Sequence, residues 1–199
     1  MNSMVINFVL LILLISSVIF DLTQKKIPNF LTFPVILFGL IFHTASGMFN
    51  GLLFSLWGFL LGIGLFLIPF MVGGMGGGDV KLLGAIGALK GTEFVFIATF
   101  YTAICGGVIA LIYLALKGEL INTLKKVLGL LVKPLLMVLA MKFRSSYIKE
   151  LDLYFSPSLQ GREKKSLFFP YGVAIGIGTV IALSDLASQL LPIGALLFR

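Results

Sequence analysis

Two acidic residues stand where a charge is costly. The uncharged run at residues 4–20 ends at Asp21, and Asp79 lies between two apolar segments, at the end of Gly73-Gly74-Met75-Gly76-Gly77-Gly78-Asp79-Val80-Lys81. A charge at the centre of a bilayer costs roughly 2.5–3.5 kcal/mol on insertion scales, and such groups are usually paired and functional. Two carboxyl groups a few ångströms apart do not both ionise easily, so one keeps a proton while the other acts as a base. Such a pair can hydrolyse an amide with neither a metal nor a nucleophilic side chain. The base takes a proton from the attacking water, the acid gives one to the carbonyl oxygen, and the roles then exchange. Asp79, at the expected N-terminus of a helix with Lys81 two residues on, is the expected base, and Asp21 the expected proton donor.

The glycines around Asp79 support that chemistry. Five of the six residues before it are glycine, which removes bulk and lets the backbone approach another chain closely. Gly76 and Gly78 are therefore expected to shape a loop with room for an extended substrate and a water. Phosphate-binding readings fail on spacing. Gly73 and Gly78 match the two glycines of a Walker A loop, but the lysine required next is Asp79, whose charge repels phosphate. A dinucleotide fingerprint needs glycine where Asp79 or Lys81 stands, and no flanking βαβ pattern exists.

The elements that must bring Asp21 and Asp79 together follow from composition. With 59% hydrophobic residues, 12% charged residues and a mean hydropathy of +1.11 over 199 residues, the chain reads as one polytopic membrane domain. It is expected to be an all-α bundle of about six transmembrane helices. The first ends at Asp21. The second covers about 29–46, an outer turn covers 47–51, and the third returns over 51–72. A short helix rich in small residues starts near Val80 and ends before Lys90 and Gly91; its place is inside the bundle. Residues 92–116 form a fifth segment, and a last helix runs from about Ser166 to Ser184.

Lys25 and Lys26 follow the first helix, and residues 117–165 hold ten of the fifteen basic residues, so both stretches are expected at the cytoplasmic face. By helix count Asp21 and Asp79 then share that face, and Glu93 and Asp185 the other. Within the basic loop, residues 127–141 are expected to form an amphipathic interfacial helix, with a further span as the weaker alternative. The net charge of +7 comes from these loops and lacks the aromatic interleaving of a base-stacking surface, so lipid is the expected partner and nucleic acid is not. One cysteine, Cys105, and one histidine, His43, build no Cys-rich zinc site and leave a histidine triad poorly supported. Both are expected to be packed residues, and no metal or cofactor is expected.

Gly76-Gly77-Gly78-Asp79, continued by Val80-Lys81-Leu82-Leu83-Gly84, resembles the GxGD signature of type IV prepilin peptidases and archaeal preflagellin peptidases. Asp21 followed by Ile27-Pro28-Asn29 looks like the first catalytic aspartate of that family and the start of its second helix, and Pro170-Tyr171-Gly172 is similar to a further family pattern. The resemblance implies an aspartic endopeptidase in the cell membrane that removes basic leader peptides from prepilin-like or preflagellin-like proteins at the cytoplasmic face. It implies Asp21 and Asp79 as the catalytic pair and Gly76 and Gly78 as loop-shaping residues. Larger bacterial members also carry a zinc-binding cysteine tetrad in a domain that N-methylates the product. A single cysteine does not support that activity, and the chain looks like the short, peptidase-only form. Two other readings remain: a small transporter or channel with Asp79 and Lys81 along a polar path, and a non-catalytic assembly subunit.

Overall fold

Inside a bilayer no water can satisfy backbone groups, and a helix satisfies them within its own segment. The computed structural model describes residues 2–118 and 171–184, and every regular element among them is helical. Four helices follow in order: α1 (Asn2–Gln24), α2 (Asn29–Met71), α3 (Gly77–Leu116) and α4 (Tyr171–Leu183). The first three are long and apolar enough to cross a membrane, and α4 is a shorter apolar helix. Phe8, Ile15, Phe30, Ile41, Trp57 and Ile68 are exposed. So much outward apolar surface suits contact with lipid better than with water. The expected interfacial helix at 127–141, nearly all of the basic loop, and the chain from Asp185 onward lie outside the described residues.

The chain divides into two compact units, Met1–Val108 with Phe168–Arg199, and Ile109–Leu167. The described part of the second unit is the end of α3, where the Lys117 ammonium lies 4.6 Å from the centre of the Tyr113 ring. Asp21, Asp79 and the residues that hold them belong to the first unit.

α2 and α3 each consist of two arms joined at a break. In α2 the break falls at Met48 (φ 48°, ψ −131°), and in α3 at Gly91 (φ 82°, ψ −178°). Contacts with Ala88 show how sharply α2 turns. Ser55 Oγ donates to the Ala88 carbonyl at 2.7 Å, and a Cβ on Gly39 would lie 2.8 Å from the same oxygen. Sixteen residues of straight helix would hold Gly39 and Ser55 about 24 Å apart. The chain therefore folds back at Met48, and the expected five-residue turn over 47–51 contracts to this single residue within continuous helix. The break in α3 falls at Gly91, where the short helix was expected to end.

The first arm of α3 is the core of the first unit. Residues 82–89 are all buried, as expected from their small side chains, because Gly84, Ala85, Gly87 and Ala88 let other helices approach closely. Both arms of α2 lie against it. The buried positions of α2 are Thr32, Ile36 and Gly39 in one arm and Ser55, Gly58, Gly62 and Phe66 in the other, a spacing of three and four that keeps each set on one face. His43 also belongs to this packing: its Nε2 lies 2.9 Å from the Leu89 carbonyl and its ring 4.9 Å from that of Phe54.

α1 runs antiparallel to the first arm of α3, with Lys90 Nζ donating to Asn7 Oδ1 at 2.8 Å at one end of the pair. α4 packs against α1 and against the second arm of α3. A Cβ on Gly176 would meet Val18 Cγ2 at 2.9 Å, and one on Gly178 would meet Thr102 N at 2.5 Å.

Candidate active site

Asp21 and Asp79 occupy the other end of the α1–α3 pair. Asp21 lies in the last turn of α1, which runs three residues beyond the end expected at Asp21. The helix continues to Gln24, and in its last turn Thr23 Oγ1 donates back to the Ile19 carbonyl at 2.7 Å. It closes at Lys25, a left-handed residue (φ 55°) whose N–H donates to the Asp21 carbonyl at 3.0 Å. Asp79 lies in the first turn of α3, where the partial positive charge of a helix N-terminus favours an acidic side chain.

Both side chains are withdrawn from the surface, Asp21 with 4% of its area exposed and Asp79 with 8%. Their carboxyl groups are close enough to interact electrostatically, and Tyr171 lies within the field of Asp79. Burial of a charged group is costly unless hydrogen bonds replace water, and a backbone N–H meets each carboxyl group. Gly172 N–H donates to Asp21 Oδ2 at 2.8 Å, and Gly76 N–H donates to Asp79 Oδ2 at 3.1 Å. Asp79 N–H in turn donates to the Gly76 carbonyl at 3.2 Å, closing a small loop around the carboxyl group.

The glycines divide this work. At Gly76 a Cβ would lie 3.3 Å from Asp79 Oδ2. At Gly78 a Cβ would lie 3.0 Å from Ile27 Cβ and 3.2 Å from the Ile27 backbone N and O, so the missing side chain lets the start of α3 press against the α1–α2 connection. Ile27 is itself buried. Gly73 supplies a left-handed residue (φ 79°) in the turn that precedes α3.

Lys81 is not placed against Asp79. Its ammonium donates to Asn29 Oδ1 at 2.9 Å and lies 5.6 Å from the centre of the Phe33 ring, both at the start of α2. Residues two apart on a helix point to different sides, so the sequence-based expectation that this ammonium supports Asp79 is corrected by the helix geometry. Gly172 has no role in that reading, which takes Pro170-Tyr171-Gly172 as the entry to the last helix and as similar to a further family pattern. A glycine opening a helix, where an unmade N–H is available, is the signal that could have found it. Among the described residues no group of three or more His, Cys, Asp and Glu could hold a metal ion.

An open apolar groove of about 410 Å³ runs between α1 and α4. Val18, one turn before Asp21, and Val173, next to Gly172, are among the residues that line it, as are Ile177 and Val180 further along α4.

The fold and the site define a helical membrane protein with two buried carboxyl groups, each met by a backbone N–H at the start of a helix or in the turn before it. Over residues 8–111, more than half of its length and including both aspartates, the chain matches the type IV leader peptidase family, and it belongs to that family. It is 34% identical over 116 residues to the prepilin leader peptidase/N-methyltransferase of Legionella pneumophila, an alignment that covers 54% of this chain and 39% of that relative. The chain thus spans well under half of the length of that protein. No solved structure matches it.

Proposed function

We propose that the chain is a membrane-embedded aspartic endopeptidase that removes the leader peptide from prepilin-like or preflagellin-like proteins, with Asp21 and Asp79 as its catalytic pair. The observation that carries this reading is that two buried carboxyl groups, each met by a backbone N–H, stand at one end of the α1–α3 pair in a chain of the leader peptidase family. One carboxylate takes a proton from a water as that water attacks the scissile carbonyl. The other, protonated, gives its proton to the carbonyl oxygen. When the tetrahedral species collapses, the C–N bond breaks, the leaving nitrogen takes a proton from the first group, and one hydroxyl of the diol gives its proton back to the second, restoring the pair. Of the loop-shaping glycines, Gly76 keeps a side chain away from the Asp79 carboxyl group and Gly78 lets the start of α3 press against Ile27, while the apolar groove beside Asp21 suits a hydrophobic segment of the substrate.

Six membrane passes fit this reading, one each for α1 and α4 and two each for the bent α2 and α3. Lys25 and Lys26 beside the end of α1 put the pair at the cytoplasmic face of the cell membrane by the charge rule. The alternative of a polar path along Asp79 and Lys81 loses support, because the Lys81 ammonium is engaged by Asn29 and Phe33.

The test is processing of a coexpressed prepilin-like substrate, read as a gel shift. Asp21→Asn and Asp79→Asn should each reduce cleavage by roughly 10²- to 10⁴-fold, the span of general acid–base catalysis, while the protein still inserts. Normal cleavage by either variant would remove the mechanism.

A further inference from the structure

Asp21 must keep one orientation while protons move, and its own helix supplies no N–H to hold it. In the last turn of α1 the backbone N–H groups already donate to carbonyls one turn back. The donor comes instead from α4, 151 residues further along the chain, where Gly172 N–H reaches Asp21 Oδ2 at 2.8 Å. Gly172 is the second residue of α4, so its N–H is one of those that a helix leaves unmade. The space is equally specific: a Cβ at this position would lie 2.7 Å from Asp21 Oδ2 and 2.9 Å from Asp21 Cβ and Cγ.

An oxygen that accepts an N–H bond must present a lone pair to it. We infer that Gly172 is a positioning residue of the catalytic pair: its backbone N–H, at the opening of α4 beside that of Val173, holds the Asp21 carboxyl group in one orientation. Gly76 N–H treats Asp79 Oδ2 in the same way from within its own loop, at 3.1 Å. Protons move between the two carboxyl groups, water and substrate, and no covalent bond to either glycine is made or broken. This inference rests on the reading of Asp21 and Asp79 as the catalytic pair.

Two replacements at residue 172 separate the N–H from the space it occupies. Gly172→Ala keeps the N–H and pushes on the carboxyl group. Glycolic acid in place of Gly172 turns the amide into an ester, which deletes the N–H, adds no side chain and removes no bond within α4. With a purified prepilin-like substrate, the ester protein should lose about 10²-fold in kcat, the scale of a misplacement of about 1 Å, with KM within about twofold of the unmodified enzyme. Gly172→Ala should follow the same pattern, and if it fails to accumulate, the ester protein alone decides. Wild-type kcat in the ester protein, or a rise in KM alone, overturns the inference. Asp21→Asn assayed alongside distinguishes the two claims: if it cleaves normally the pair itself is wrong, and if it is inactive while the ester protein is normal, only the role of Gly172 falls.

Discussion

Gly58 of α2 and Gly87 of α3 meet backbone to backbone, and a Cβ on either would fall inside the carbonyl group of the other. The obstacle in each direction is main chain, which cannot rotate aside as a side chain can. Gly58→Ala or Gly87→Ala should therefore force the helices apart and cost about 1–3 kcal/mol, the usual cost of overpacking. Gly64, in the same arm as Gly58, has nothing within 4 Å of where its Cβ would be. Gly64→Ala should be neutral or stabilising by up to about 1 kcal/mol, since glycine weakens a helix interior. Thermal unfolding in detergent compares the three. Equal melting temperatures would show that the close crossing does not hold α2 to α3.

The break in α3 predicts a second cost. Gly91 combines φ 82° with ψ −178°, a region that side chains essentially exclude, and a Cβ there would enter the Phe54 ring. Gly91→Ala should lose about 1–3 kcal/mol from the backbone conformation alone, with the contact in addition. Adding Phe54→Ala should remove only the second part. Unfolding of the single and double variants measures the split, and complete recovery in the double variant would mean that the conformation itself costs nothing.

Lys81 and Asn29 form a pair that a double-mutant cycle can test. Hydrogen bonds to charged groups contribute about 1.5–3 kcal/mol when desolvated, but this one is largely open, so a coupling nearer 1 kcal/mol is expected. Lys81→Met and Asn29→Ala should be non-additive by that amount in unfolding. Additive losses would mean that the two side chains do not act together.

What the sequence made legible was the set of elements, because apolar runs, glycines and charges mark their limits. Asp79 opens a helix because three glycines and a methionine precede it in a turn, and the break after Lys90 is marked by Gly91, the residue that tolerates φ 82°. The end of α1 was harder. An Asp after an uncharged run looks like a stop, yet Asp21 sits within the last turn because the Gly172 N–H compensates its burial. No pattern along the first helix carries that partner. The fold-back of α2 was placed in a glycine-bounded turn, but Met48 takes the left-handed conformation at φ 48°. Lys81 was misassigned for a simpler reason: adjacency in sequence was read as adjacency in space, and two residues on a helix turn the side chain away.

The hydrogen bond between Gly172 and Asp21 also orders events during biosynthesis. Contacts between residues this far apart in sequence form only after the intervening chain exists. While the polypeptide is still being threaded into the bilayer, the first aspartate has no α4 amide to hold it, even after the second has been inserted with its own loop. Asp21 therefore reaches its hydrogen-bonded geometry only once α4 has docked.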